Sequence, residues 1–385
     1  MDSHNQFHRD TWVDIDLDAI QYNIQQVAEQ VGAEVSIMAV VKGNAYGHGY
    51  LQIAKTALRS GASHLAVALL DEALFLRRNG IEAPIVVLGA SRAEDAGIAA
   101  QQQVQLTVFN VEWIEKASTY ISGDDTLFLH LKCDTGMGRI GVKTADEVKK
   151  IEKVIYQHAS LHLEGIFTHF ATADQIDRTY GDEQLARFQQ LLEQLEKRPH
   201  FVHASNSAGA LTREDSLFSL IRFGISMYGL SPSDEIAGIL PIKLKPALSF
   251  HTTLTHVKKI MPGEKVSYGS TYVADHQEWI GTLPLGYADG WIRKMQGFEV
   301  LIDGVKVPIV GRVCMDQCMI RLPQSFPLGT KVTLIGEQKN NKILIDEVAR
   351  HLETIHYEVA CAISSRVPRV YWQGKELISV LNPLK

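Results

Sequence analysis

A regular alternation of short apolar runs with helical segments constrains the fold of this chain more than any other feature. Eight runs are rich in Val, Ile, Leu and Phe. Runs that are apolar throughout are typical of strands buried on both faces of a parallel sheet. They are Val35–Val41, His64–Leu69, Pro84–Gly89, Val104–Phe109, Thr126–Lys132, His162–Phe170, His200–Ser205 and Ser219–Ile225.

Segments with helical spacing separate these runs. Ala19–Val31 repeats apolar residues at helical intervals, and Thr144 followed three residues later by Glu147 predicts a capped helix over Thr144–His158. Strands that alternate with helices form parallel sheets through right-handed crossovers. Eight such units predict an N-terminal (β/α)8 barrel of the TIM type, with an open doubly wound sheet as the alternative.

The pattern changes near Leu240, where the runs become short and alternating and are separated by turn signals. One helix, about Ile345–Leu352, interrupts them. We therefore predict a cofactor-binding barrel over residues 11–240 and a C-terminal, mostly β-strand domain over residues 241–385. The predicted strand segments of the second domain are Ser249–Lys258, Trp279–Leu285, Glu299–Ile302, Lys306–Val310, Cys318–Leu322 and Lys331–Ile335.

Composition argues against several classes of protein. The 38 basic and 44 acidic residues give a net charge of −6, whereas nucleic-acid binders usually have a basic surplus. The four cysteines form no CxxC pair and the fifteen histidines have no metal-ligand spacing, so we predict a reduced, cytoplasmic protein without a metal. The polar opening from Met1 to Asp10 lacks a signal-peptide core, and no apolar run approaches about 18 residues, so no membrane association is predicted.

Polar side chains cluster where the predicted barrel strands end, which is where barrel enzymes carry their chemistry. Taken one at a time, each has an ordinary structural interpretation, but their common position favours a site. These side chains and backbone positions are Lys42, Lys132, Arg139, His169, Asn206, Ser207, Arg222, Gly224 and Ile225.

Lys42 is the most informative of these residues because it directly follows an apolar strand. It could be a lysine at the rim of the barrel. A lysine amine in a desolvated pocket is instead a nucleophile that forms a Schiff base with a carbonyl substrate or with pyridoxal phosphate. Ser207, Gly224 and Ile225 follow the last two strands, where barrels usually bind phosphate, and could offer a hydroxyl and two backbone N–H groups.

A second motif would indicate a different class of protein, one that binds a dinucleotide. Gly136–Gly141 matches G-x-G-x-x-G, which in a dinucleotide-binding fold lies between a strand and a helix. A single match is weak evidence, and this one belongs to the fifth strand unit and carries Arg139 in its middle. A nicotinamide-dependent dehydrogenase is therefore a minor alternative.

Motifs along nearly the whole chain resemble those of alanine racemases. The most specific are the lysine segment Ala39–Gly49 and Ser267-Tyr268-Gly269. The polar opening before Asp10 lies outside the resemblance. The other motifs are Asp134–Gly141, Thr168–Ala171, Ser205–Ala208, Arg222–Ile225, Gly286–Gly290, Cys314–Asp316 and Tyr357–Glu358.

The resemblance implies a pyridoxal 5'-phosphate enzyme built as a homodimer whose active sites are shared between subunits. Lys42 would hold the cofactor covalently, Arg139 and Met315 would contact the amino-acid substrate, and Lys132 would be a carbamylated lysine that holds Arg139. Tyr287, Arg293 and Arg312 would line the entrance. The other cofactor-binding residues would be Tyr46, His169, Asn206, Ser207, Arg222, Gly224, Ile225 and Tyr357.

The chemistry that the family performs explains these residue types. Inverting a carbon centre requires a proton to leave one face and another to arrive on the opposite face, which two bases accomplish without large motion. Lys42 and Tyr268 would be these bases, with Tyr268 and Met315 supplied by the partner subunit. Arg222 would hydrogen-bond to the ring nitrogen of the cofactor without protonating it, which disfavours side reactions.

The sequence therefore predicts a racemase that interconverts L-alanine and D-alanine and supplies D-alanine for peptidoglycan. A broader racemase acting on serine or lysine is the main alternative, because one methylene changes discrimination by only about 1–3 kcal/mol. A decarboxylase on a similar barrel would not need Tyr268. A non-catalytic cofactor-binding protein would not need the second domain.

Overall fold

The computed structural model describes residues 7–384, which form two compact units. The barrel unit contains residues 19–45 and 50–246, and the β unit contains the described residues up to Asp18, residues 46–49 and those from Ala247 onward. The first part of the polar opening that was considered for a signal peptide lies outside the described residues. Among the described helices, none has the length and apolar character needed to cross a membrane.

Eight parallel strands form the barrel, which confirms the predicted TIM-type fold over the doubly wound alternative. The sheet begins and ends with the seventh and eighth strands, and backbone bonds from Ser219 N to Val202 O (3.2 Å) and from Arg222 N to Ser205 O (3.0 Å) link these two edges. The strands are Ser36–Val40, His64–Val67, Ile85–Val87, Val104–Val108, Leu127–Lys132, Leu161–Phe167, Phe201–His203 and Leu220–Phe223.

Helices alternate with these strands as the apolar spacing predicts. The helix that follows the fifth strand begins after Thr144, whose side chain accepts the N–H of Glu147 while the Glu147 carboxylate accepts the N–H of Thr144, so the predicted capping box is present. The helices are Leu17–Val31, Tyr50–Arg59, Leu70–Arg78, Ala96–Gln101, Val111–Ser118, Ala145–Gln157, Thr179–Leu192 and Ser207–Thr212.

A left-handed turn follows the first barrel strand. Gly43, Asn44, Ala45 and Tyr46 have φ angles of 62°, 55°, 52° and 51°, so three consecutive residues other than glycine occupy the left-handed region. That conformation is unfavourable for L-residues and persists only where surrounding contacts fix it. The turn begins at Lys42, so the surroundings constrain the backbone of that residue.

The β unit contains an eleven-stranded sheet and a two-stranded one. Two helices, Ile345–Leu352 and His356–Ala362, also lie in this unit, and the second was not predicted. The strands are Thr11–Asp16, Leu248–Thr253, His256–Ile260, Lys265–Val266, Tyr272–Val273, Glu278–Leu283, Glu299–Ile302, Val305–Val310, Cys318–Leu322, Lys331–Gln338, Asn341–Ile343, Arg369–Gln373 and Glu376–Leu381.

The extents of the compact units differ from the predicted domains, residues 11–240 and 241–385. Thr11–Asp16 pairs antiparallel with Leu248–Thr253 and parallel with Arg369–Gln373, so it belongs to the β unit. The barrel unit also extends to Pro246. Sequence distance hides these pairings because the partners of the first strand lie more than two hundred residues away.

One predicted strand is two strands. The run Ser249–Lys258 is interrupted at Leu254, where the chain changes partners. The first part, Leu248–Thr253, pairs with Lys331–Gln338, and the second, His256–Ile260, pairs with Glu278–Leu283. Leu254 is itself buried, so the run of apolar residues continues across the break and periodicity alone does not reveal it.

Candidate active site

The carboxyl ends of the barrel strands bring the predicted residues to one rim. Lys42 follows the first strand, Lys132 ends the fifth, and His169 follows the sixth. Asn206 and Ser207 follow the seventh strand, and Arg222, Gly224 and Ile225 lie at the end of the eighth. Since all eight strands are parallel, these ends face the same side of the barrel.

Four cations act on His169 at this rim. The pKa of His169 lies well below its ordinary value of 6.5, because of burial first and then because of Arg222, Arg139, Lys132 and Lys42 in that order. The imidazole is therefore neutral at pH 7. A rim that gathers two lysines and two arginines is suited to anionic ligands such as a phosphate or a carboxylate.

Arg222 is held rigidly by the barrel. Its Nη1 donates to His203 Nδ1 (2.7 Å), and its Nη2 donates to the carbonyls of Thr168 (2.8 Å) and Ala204 (2.7 Å). The pKa of Arg222 falls to about 9 through burial and then Arg139, so the guanidinium keeps its charge at pH 7. Its Nε makes no hydrogen bond with the described residues, which leaves one fixed donor for a ligand.

A chain of hydrogen bonds continues from Arg222 through buried side chains. His203 Nε2 lies 3.0 Å from His130 Nδ1, and His130 Nε2 lies 2.7 Å from Gln105 Oε1. Because Arg222 can only donate to His203 Nδ1, the proton of His203 must be on Nε2, and that of His130 must then also be on Nε2. Burial, aided by nearby cations and histidines, lowers the pKa of both histidines, so both are neutral.

This histidine chain was not predicted from the sequence. Each histidine interrupts an otherwise apolar barrel strand, which was the available signal. The chain also explains Gly165, since a Cβ at that position would lie 2.3 Å from His130 Nδ1. Glycine here gives the ring room rather than supplying an unusual backbone angle.

Lys132 is buried beside this network. Its Nζ donates to the carbonyl of Cys133 at 2.6 Å and lies over the Phe167 ring. Burial, then the charge of Arg222, lowers the pKa of Lys132 to about 8, and Arg139 also lowers it. The amine is therefore partly neutral near pH 8.

The glycine-rich segment Gly136–Gly141 is a loop and not a dinucleotide-binding turn. The N–H groups of Gly136 and Gly138 donate to Asp134 Oδ1, at 3.2 and 2.9 Å, so they are used within the loop. The next helix begins only at Ala145. The loop instead places the exposed Arg139 at the rim.

The segments that follow the last two barrel strands contact each other through Ser207. Its Oγ accepts the N–H of Gly224 (2.9 Å) and that of Ser226 (3.4 Å), so Gly224 does not offer the bare N–H that was expected from the sequence. The hydroxyl hydrogen of Ser207 remains able to donate to a ligand. Asn206 caps the following helix, with Oδ1 accepting the N–H of Gly209 at 3.0 Å.

A second group of predicted residues lies together in the β unit. Tyr268 is 72% exposed and Met315 is 53% exposed, and Tyr287 and Arg312 are also exposed. Ser267 Oγ donates to the carbonyl of Arg312 at 2.5 Å. The guanidinium of Arg312 also contacts Gly269, since a Cβ there would lie 2.9 Å from Nη1.

Backbone bonds from Tyr287 N to Cys314 O (3.0 Å) and from Ala288 N to Met315 O (3.1 Å) complete this group. We call the exposed side chains of Tyr268, Met315 and Tyr287, which lie on these hydrogen-bonded segments, the tyrosine patch. Large apolar side chains exposed together mark interaction surfaces more often than isolated ones do. Arg293 is exposed in a short turn of the same unit.

Tyr46 and Tyr357 form a pair within the β unit. Their ring centroids are 6.1 Å apart. Burial, then Tyr357 and Cys361, raises the pKa of Tyr46 above its ordinary value. The Tyr46 hydroxyl is therefore a protonated donor at neutral pH.

Comparison with known proteins gives a consistent result over the whole chain. Residues 15–232 match the family model "Alanine racemase, N-terminal domain", and residues 247–371 match "Alanine racemase, C-terminal domain". The chain is 58% identical to an alanine racemase of Geobacillus stearothermophilus, over 99% of this chain and 98% of that protein.

Solved structures agree with this similarity. The crystal structure of alanine racemase from Bacillus anthracis with bound L-Ala-P superposes with a TM-score of 0.96 at 50% identity, covering 98% of this chain and 99% of that one. A histidine racemase from Leuconostoc mesenteroides subsp. sake has a TM-score of 0.90 at 32% identity, covering 95% and 98% of the two chains.

Proposed function

Because this chain belongs to the alanine racemase family, and is therefore an isomerase, we propose that it interconverts L-alanine and D-alanine with pyridoxal 5'-phosphate bound at the barrel rim. The observation that carries the proposal is the cluster of Lys42, Lys132, Arg139 and Arg222 around His169. A lysine next to anion-binding donors is what an aldehyde that carries a phosphate requires.

The donors at the rim fit this cofactor. The Ser207 hydroxyl and the start of the Ile225–Tyr228 turn lie where barrels usually bind phosphate. The Nε–H of Arg222 is a fixed donor suited to a pyridine nitrogen. We propose that Tyr46 and Tyr357 also donate to the phosphate, and that Asn206 and His169 support this site. When bound, the cofactor delocalises charge from the α-carbon of the substrate into its ring.

Two groups of the protein would move the substrate's α-proton. The Lys42 amine would remove or return a proton on one face, and the Tyr268 hydroxyl would do so on the other. Arg139 and Arg312 would place positive charge near the hydroxyl oxygen as it gives up its proton. Arg139 and Met315 would also hold the substrate carboxylate and shape its pocket.

Tyr268 would act on the barrel of a second copy of the chain. The tyrosine patch is exposed, and a two-fold dimer that places each patch on the other copy's barrel rim would complete two sites at once. We therefore propose a homodimer in which the partner supplies Tyr268 and Met315. Tyr287, Arg293 and Arg312 would then line the path to the site.

Arg222 would control the type of reaction. An arginine that stays protonated donates a hydrogen bond to the ring nitrogen and does not give up its proton. His203 Nδ1 accepts a hydrogen bond from Arg222 Nη1, and because this imidazole is neutral, it has no proton on Nδ1 to donate to Arg222. The ring nitrogen would remain unprotonated, which weakens the electron sink and disfavours transamination.

Lys132 would be carbamylated. Three cations, Lys132, Arg139 and Arg222, lie within electrostatic range of one another. The protonated amine first loses one proton, and the neutral amine then reacts with carbon dioxide, which forms a C–N bond and releases a second proton. A positive group therefore becomes a negative one. The carbamate would relieve the repulsion and hold Arg139 in place.

Covalent labelling tests the cofactor assignment. Borohydride reduction of the purified protein followed by peptide mapping should place a pyridoxyl group on Lys42. A label on another lysine, or no uptake of the cofactor, would remove the proposal. A Tyr268→Phe variant should lose racemisation in both directions while keeping the label, and an unchanged rate would overturn the two-base assignment.

A broader specificity is the second candidate. The histidine racemase shares this fold at 32% identity, so the fold accommodates larger side chains in at least one relative. Comparing kcat/KM on alanine, serine, lysine and histidine distinguishes the two. We further propose a cytoplasmic role in supplying D-alanine for peptidoglycan, which predicts that cells lacking the enzyme and any isoenzyme require added D-alanine.

A further inference from the structure

Glu72 is a buried acid that the proposed chemistry does not use. It lies in the first turn of the helix Leu70–Arg78 and is 9% exposed. A buried carboxylate is unfavourable unless hydrogen bonds compensate for the lost water. Glu72 accepts four of them.

Two of the four bonds stabilise the start of its own helix. Glu72 Oε2 accepts the backbone N–H of Ala68 at 2.7 Å and that of Leu69 at 3.2 Å. These contacts satisfy donors that the helix start leaves free and place a negative charge near its positive end. They account for one oxygen of the carboxylate.

The other two bonds reach the segment that follows the first barrel strand. Glu72 Oε1 accepts the backbone N–H of Gly43 at 2.8 Å and the hydroxyl of Tyr50 at 2.7 Å. The Gly43 N–H belongs to the peptide that joins Lys42 to Gly43. Glu72 therefore fixes the plane of the peptide that leaves Lys42.

The turn that begins at Lys42 needs such a restraint. Its residues from Gly43 to Tyr46 are left-handed, and a chain without contacts would not hold that conformation. The bond from Ala45 N to Val41 O closes the turn internally. Glu72 contacts its first residue from a different strand–helix unit.

We propose that Glu72 is a positioning residue for Lys42. It would hold the Lys42–Gly43 peptide so that the side chain leaves the strand in one direction and its amine meets the cofactor and the substrate at a fixed angle. The inference rests on the proposed function, since it takes Lys42 as the residue that carries the cofactor.

A Glu72→Met variant tests this role because methionine has nearly the same length and its thioether is only a weak acceptor. The substitution removes the acceptor of the Gly43 N–H and the Tyr50 hydroxyl, whereas a glutamine can keep its amide oxygen turned towards them. We expect kcat to fall about tenfold or more with KM changed less than about threefold. We also expect a changed absorbance band of the attached cofactor and faster cofactor release.

Two matched variants serve as controls. Asp71→Asn removes the same charge from the same helix turn at an exposed position, and Tyr50→Phe removes a bond to Oε1 without touching the Gly43 N–H. Both should keep the wild-type absorbance band. A Glu72→Met enzyme that unfolds more easily yet keeps wild-type kcat, absorbance and cofactor release would overturn the proposal and leave Glu72 only a helix cap.

A measurement on the wild-type holoenzyme covers the case in which Glu72→Met does not fold. Gly43 is exposed, so its amide should exchange with solvent quickly unless Glu72 holds it. We expect exchange slowed by more than about a hundredfold relative to an open loop, and exchange at the open-loop rate would overturn the proposal. Failure of the proposed function would appear separately, as wild-type protein that neither takes up the cofactor nor racemises alanine.

Discussion

At the scale of single residues, the barrel rim concentrates charge in a place where charge is costly. Burial and neighbouring cations lower the pKa values of Lys132, His169, His203 and Arg222 together. Only groups that can lose a proton or gain an anionic partner relieve that cost. The histidines respond by staying neutral, and Lys132 can respond by reacting.

The state of Lys132 should therefore depend on pH. Its pKa of about 8 means that the amine is mostly protonated at pH 7 and mostly neutral at pH 9, and only the neutral amine reacts with carbon dioxide. In 13C-bicarbonate, the carbamate signal in the NMR spectrum should rise with pH through about pH 8. A Lys132→Met variant should lack the signal, while Lys143→Met, at a neighbouring exposed lysine, should keep it. A signal that survives in Lys132→Met would refute the assignment.

A substitution at Gly165 tests the histidine chain, because a larger side chain there would need the space that the His130 ring occupies. In Gly165→Ala, the added Cβ would lie 2.3 Å from His130 Nδ1 and must displace the ring from His203. Overpacking of this kind costs about 1–3 kcal/mol, to be measured as the free energy of unfolding in denaturant. Gly238→Ala is the matched control, since a Cβ there meets nothing within 4 Å. Equal changes in the free energy of unfolding for the two substitutions would mean that the His130 ring moves aside without cost.

At the scale of elements, local sequence rules and contacts from other elements govern different parts of the chain. The residues at the start of the helix Ala145–Gln157 form a capping box, so the local sequence determines where this helix begins. The left-handed turn after the first barrel strand has only part of such a signal, since Gly43 and Asn44 tolerate positive φ angles whereas Ala45 and Tyr46 do not. Its neighbours hold it in place, with Glu72 contacting its first residue.

Loss of the cap should destabilise the first of these elements by a predictable amount. Thr144→Ala removes the side-chain acceptor for the N–H of Glu147, which should lower the free energy of unfolding by about 1 kcal/mol. Lys149→Ala, at an exposed position of the same helix, should change it by less than about 0.5 kcal/mol. Chemical denaturation of both variants measures the difference. A Thr144→Ala variant that loses no more unfolding free energy than Lys149→Ala would contradict the prediction.

At the scale of the whole molecule, the two groups of predicted catalytic residues lie in separate compact units. Lys42 is in the barrel unit and Tyr268 is in the β unit. The exposed tyrosine patch is where the proposed dimer would bring the second group to a partner's barrel. Activity would then be a property of the pair of chains.

Mixing two inactive variants tests that arrangement. In a dimer of one Lys42→Ala chain and one Tyr268→Phe chain, one site would carry both substitutions and the other would be intact. Random re-association of equal amounts should restore about a quarter of wild-type activity, because half of the dimers are mixed and each has one good site. Each variant alone should stay inactive, and a mixture that also stays inactive would place both residues in one chain's site.

Much of the architecture followed from the sequence because it depends on local pattern. Each of the eight apolar runs became a barrel strand within a few residues, since a parallel sheet buried on both faces selects continuous apolar segments. The positions of Lys42, Lys132, His169 and Arg222 at strand ends followed as well, because parallel strands share one carboxyl end.

Tertiary structure alone decided what depends on distant pairing. Thr11–Asp16 pairs within the β unit with a strand near the other end of the chain. Ser207 accepts the N–H of Gly224, which had been predicted to bind a ligand. The contact of Glu72 with Gly43 and the orientation of the histidine chain also arise between elements. A sequence specifies hydrogen-bonding groups and their spacing along the chain, but which donor meets which acceptor is settled only when folding brings separate segments together.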